Sequence, residues 1–92
     1  MANFIVSYDL NGPHPTHDEM DDHLAKLGYA RGRVLETVWY VAAATSTTDL
    51  HGQILSILSV DDRLLVVEAS EASLTNLLIN DESLIQSWNA NR

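Results

Sequence analysis

The chain has 92 residues, with 13 Asp and Glu against 5 Lys and Arg, a formal net charge of -8, and no cysteine. That length allows one domain, 1–92, and too little chain for two. The missing cysteines exclude disulfides, thiolate zinc sites and a cysteine nucleophile. The scarcity of basic residues argues against tight non-specific binding to a phosphate backbone, because each Lys or Arg contact there releases counterions.

Asn3 to Leu10 reads as a strand, with Phe4, Val6, Tyr8 and Leu10 on one face and Ile5, Ser7 and Asp9 on the other. The N-terminal residues lack the basic and long apolar regions of a signal peptide, so a cytoplasmic protein is expected. No apolar run approaches a membrane span. Asn11-Gly12-Pro13-His14-Pro15 breaks the strand. Thr16 then opens a helix, with Glu19 completing a Thr-x-x-Glu capping box. Asp18, Glu19, Asp21 and Asp22 complement the helix dipole. Met20, Leu24 and Leu27 form its apolar stripe, and Gly28 supplies the left-handed stop.

Tyr29 to Ala44 is β-rich and reads as two strands with a turn near Leu35 to Thr37. Thr45 to Thr48 can cap a second helix over Asp49 to Leu58, where Leu50, Ile54, Ile57 and Leu58 have helical spacing. Asp61-Asp62 is a turn before a strand from Arg63 to Ala69. The order strand, helix, strand, strand, helix, strand predicts an α+β, ferredoxin-like split βαββαβ fold. Its four-stranded antiparallel sheet would carry two helices on one face. That core covers about 3–69. The extension 70–92 is expected to be partly helical, with one short helix over Ser70 to Ile79. A second helical segment, restarted by Asn80-Asp81-Glu82, contains Leu84, Ile85 and Trp88.

Tyr8-Asp9 at the end of the first strand, Gly32-Arg33-Val34-Leu35-Glu36-Thr37-Val38-Trp39 across the next two, and Asp61-Asp62-Arg63-Leu64 opening the last resemble the small CRISPR-associated spacer-acquisition subunit. They also resemble its stand-alone SinR-like relatives and, more distantly, the VapD ribonucleases. The resemblance spans the first sixty-odd residues. It implies a homodimer in which Asp9 faces its twin across a two-fold axis. The Asp9 pair would hold magnesium or manganese for phosphodiester hydrolysis in RNA or DNA. Ser7 and Tyr8 would flank that site, and Arg31 or Arg33 would position phosphate.

The residues themselves leave alternatives. Asp9 at a strand end can instead accept hydrogen bonds from the Asn11 or Gly12 amides. Arg31 and Arg33 share one strand face, where they contact phosphate or pair with Glu36, Glu68 or an aspartate; the excess of carboxylates favours pairing. Trp39 and Tyr40 point to opposite sides of their strand, so one is core and the other lies on the open sheet face. There it stacks bases or anchors a dimer, and the lack of surrounding Lys or Arg favours the dimer. His17 with Asp21 and Glu19 with His23 are spaced i, i+4, but no third metal ligand joins them, so solvated helix residues are expected. His14 and His51 complete the histidines. Phosphate-binding glycine loops, nucleophile elbows and dinucleotide fingerprints are absent from the sequence. Against the nuclease stands a second expectation, a non-catalytic dimeric interaction module, regulatory or antitoxin-like, whose acidic surface meets a protein partner.

Overall fold

A computed structural model describes residues 2–71, 73, 77–79 and 81–91. The elements are β1 (Ala2–Asp9), α1 (His17–Lys26), β2 (Ala30–Leu35), β3 (Val38–Ala43), α2 (Thr47–Leu55), β4 (Arg63–Glu68) and α3 (Asp81–Asn91). The strands lie in the order β2-β3-β1-β4, every neighbouring pair antiparallel. This is the ferredoxin-like arrangement, with α3 added.

Local chemistry sets the boundaries. The Thr16 hydroxyl accepts from the Glu19 amide at 3.2 Å, and Glu19 Oε1 accepts from the Thr16 amide at 2.9 Å, so the capping box is closed. Gly28 follows α1 with φ of 77°, a left-handed turn that a side chain would strain. Ser46 caps α2 by accepting from the Asp49 amide at 3.0 Å. That helix therefore starts and stops earlier than the span read from apolar spacing, and Ile57 and Leu58 pack on the core from beyond its end.

Alternation along the strands divides the interior in two. Phe4, Val6, Tyr8, Trp39, Val41 and Val66 meet Met20 and Leu24 of α1 and Leu50 and Ile54 of α2 on the first face. The second face was expected to stay open. Instead α3 lies on it, and Val34, Tyr40 and Ala42 are buried beneath Leu84 and Trp88. The helix read from Leu84, Ile85 and Trp88 is thus present. Of the short helix expected over 70–79, residues 70, 71, 73 and 77–79 are not helical, and residues 72 and 74–76 lie outside the described residues.

A polar junction fixes α3 in place. Asn3, 2% exposed, donates through Nδ2 to the Trp88 carbonyl at 3.0 Å and accepts the Tyr40 hydroxyl at 2.6 Å. The Tyr40 hydroxyl also meets Ser87 Oγ at 2.9 Å, and the Tyr40 and Trp88 rings stack 5.7 Å apart. The Trp88 indole N–H donates to the Ser70 carbonyl at 3.2 Å. Burial thus satisfies each polar atom while removing two aromatic rings from water. Among the described residues no helix is long and apolar enough to cross a membrane.

Removing the Trp88 ring should leave a cavity against Tyr40 and deprive the Ser70 carbonyl of its indole donor. Trp88→Ala is expected to lose about 3 kcal/mol or more in urea unfolding. Ile85→Ala on the half-exposed side of α3 should change stability by only about 0.5 kcal/mol.

Candidate functional site

Because α3 sits over β3 and the Asn3 end of β1, the second face stays uncovered towards β4 and the far end of β1. Ser7, Asp9, Arg63, Leu65 and Val67 lie there, by the alternation that puts Phe4 and Val6 on the other face. Leu65 is 60% exposed and Val67 41%. Asp9 and Arg63 are register partners; their side chains are 63% and 80% exposed, and Nη1 stands 3.9 Å from Oδ2. Ser7, Tyr8, Asp9, Arg63, Leu64 and Leu65 border a shallow recess of about 150 Å³. So open a pair can exchange freely with water and ions.

The other residues singled out in the sequence lie elsewhere. Tyr8 is buried on the first face, where its hydroxyl accepts the Trp39 indole N–H at 3.1 Å, and burial pushes its phenol above the ordinary range. Arg33 reaches α1 on that same face and gives Nη2 to both Asp21 oxygens, at 2.6 and 2.5 Å. Asp21 holds the guanidinium firmly charged, and the Arg33 guanidinium also lies over the Trp39 ring, 5.2 Å from its centroid. The pairing of Arg33 with a carboxylate is therefore present, with a helical partner rather than one across the sheet. Arg31 is exposed, with Nη1 3.4 Å from the Tyr29 carbonyl. The sheet thus brings Asp9 and Ser7 together, with Tyr8 bordering the same recess although its ring is buried, and separates them from Arg31 and Arg33. Neither aromatic of β3 is open to a partner: Trp39 belongs to the first core and Tyr40 to the second. The exposed aromatic expected on the second face is covered by the chain's own α3.

The turn beside Asp9 is organised by a different aspartate from the one expected. The Asn11 and Gly12 amides donate to Asp62 Oδ1 at 2.7 and 3.2 Å, and the Ser59 amide to Oδ2 at 2.8 Å. Asn11 Nδ2 adds a bond to the Asp61 carbonyl at 3.0 Å. Asp62, rather than Asp9, is thus the acceptor for these loop amides, which leaves the Asp9 carboxylate outside the turn. The chain passes so close here that a Cβ on Gly12 would stand 2.6 Å from Ser59 Oγ. The spacing of Asn11 and Asp62 in sequence gave no sign of this tie.

His14 and His23, each engaged by a partner of its own, line one recess of about 330 Å³ with Glu19, Asp22 and Lys26. His14 Nδ1 meets Glu19 at 2.7 Å, and His23 Nε2 meets the Gln53 carbonyl at 2.7 Å. Among the described residues no group of three or more His, Asp or Glu could hold a metal ion. No protein-family model, no curated protein and no solved structure matches the chain.

Three amide donors hold the Asp62 carboxyl below its usual range, foremost that of Ser59, then that of Asn11. A carboxyl with a lowered folded-state pKa stabilises the fold above its unfolded pKa, about 4, and loses that contribution as pH falls through the folded value. Glu19, lowered chiefly by His14, acts in the same direction. Thermal stability should therefore drop on acidification below about pH 4. Asp62→Asn should melt lower than wild type at neutral pH and show a shallower acid dependence.

Proposed function

We propose that this protein is a cytoplasmic, homodimeric interaction module whose working surface is the uncovered strip of β1 and β4. What supports this reading is the placement of Leu65 and Val67, half-exposed apolar residues on the edge strand of the sheet, beside the charged pair Asp9–Arg63. Apolar side chains ringed by charge are the ordinary composition of a protein–protein contact. Of the two arginines expected to position phosphate, Arg31 and Arg33, the guanidinium of Arg33 is engaged by Asp21. The net charge of -8 directs any further partner towards basic proteins.

A second reading is a metal-dependent nuclease of the kind that the resemblance to the CRISPR spacer-acquisition subunit implies. Its support is the open Asp9 carboxylate beside Ser7. Among the described residues Asp9 is the one carboxylate lining this recess, and the Arg63 guanidinium stands next to it. A hard cation needs several oxygen ligands, so magnesium or manganese would require Asp9 of a second copy stacked face to face. Bound there, the metal would supply a polarised phosphoryl oxygen and a lowered water pKa.

Labelled single- and double-stranded RNA and DNA, incubated with magnesium or manganese, separate the two. The interaction module predicts no cleavage that Asp9→Ala abolishes. Metal-dependent cleavage lost in Asp9→Ala would select the nuclease instead.

A further inference from the structure

The two outer edges of the sheet differ. Along β2 the Leu78 amide donates to the Val34 carbonyl at 3.0 Å, Ile79 packs against Gly32, and the register slips between Arg33 and Leu35. A bulge and a covering segment are standard protections of an edge strand. On β4, Arg-Leu-Leu-Val-Val-Glu, there is neither proline nor lysine, and its register with β1 runs without a slip. Among the described residues no backbone hydrogen bond reaches its outer side.

The direction of its backbone groups follows from two bonds. The Ala69 amide donates to the Asn3 carbonyl at 2.9 Å, and the Tyr8 amide turns the other way, to Thr37 of the β3 side, at 3.2 Å. Antiparallel pairs alternate between bonded and non-bonded. Arg63, Leu65 and Val67 therefore bond β1, and Leu64, Val66 and Glu68 aim N–H and C=O outward.

We infer that β4 is the seam of a homodimer, pairing antiparallel with β4 of a second copy about a two-fold axis through Val66. This rests on the dimeric reading above and specifies its geometry. In this register Val66 exchanges both backbone bonds with the partner's Val66, and Leu64 does so with the partner's Glu68. Leu65 stands opposite the partner's Val67 at the closer, non-bonded spacing, so the exposed apolar residues of both copies cover one another. The antiparallel direction puts Arg63 of each strand opposite the partner's Ala69, on the second face, and Glu68 opposite the partner's Leu64, on the first. Sliding the strands to oppose Leu65 with itself would instead bring Glu68 against the partner's Asp62. The two β1 strands then lie three strand spacings apart, about 14 Å, before any offset along the strands. The Asp9 carboxylates of such a dimer cannot share a cation.

Light scattering and sedimentation equilibrium on the full chain test this, with circular dichroism to confirm folding. Wild type should be a dimer. Leu65→Lys with Val67→Lys sets like charges opposite each other and should raise the dimer dissociation constant about tenfold or more. Leu65→Lys with Val67→Glu sets opposite charges across the same seam and should remain dimeric. Both variants change exposed side chains, so both should fold. A monomeric wild type would overturn the seam and the dimeric reading together. A wild-type dimer unaffected by the double lysine variant would overturn the seam alone. Dissociation of both variants alike would overturn the register.

Discussion

The amide of Asn3 governs how this sheet is finished. A ferredoxin-like sheet with two helices has one bare face, and here β3 presents apolar residues to both. Covering the second face requires an element that arrives from beyond β4, and Asn3 is the point where it is held. Its side chain bridges the Trp88 carbonyl and the Tyr40 hydroxyl, so neither β1, β3 nor α3 can shift without exposing an unpaired polar group. The cost of such exposure, about 1–3 kcal/mol per group, makes this junction a register pin rather than a mere contact.

That helix also decides which residues remain available for chemistry. By lying over β3 and the start of β1 it removes Tyr40 from solvent and leaves the β1–β4 side of this face open. Asp9 is exposed because α3 ends its coverage short of it, and because Asp62 satisfies the nearby loop amides in its place. Exposure and freedom from the turn are what the strip offers, and a converging set of catalytic groups is what it lacks among the described residues.

Much of this fold was legible in the sequence because its signals are local. The Thr16–Glu19 box, Gly28 and the alternation from Phe4 to Asp9 each act within a few residues, and each appears as expected. The site was less legible, because its decisive contacts span the chain. Arg33 meets Asp21 across a helix–sheet packing, and Asp62 meets Asn11 across a loop closure; neither pairing has a spacing rule. One signal did point to α3. The run Val38 to Ala43 has no polar alternation, and a strand apolar on both sides needs both sides covered. A sheet open on one face was therefore the less consistent expectation.

The segment at 77–79 has a consequence for assembly size. A sheet with two bare edges can add copies without limit, as fibres do. Here the chain spends its own Leu78 amide on β2, so one margin is terminated from within. In the proposed dimer each copy carries a single adhesive margin, and two copies joined there would leave none. Growth would stop at a closed pair, and an apolar edge that otherwise seeds aggregation would become a self-limiting one.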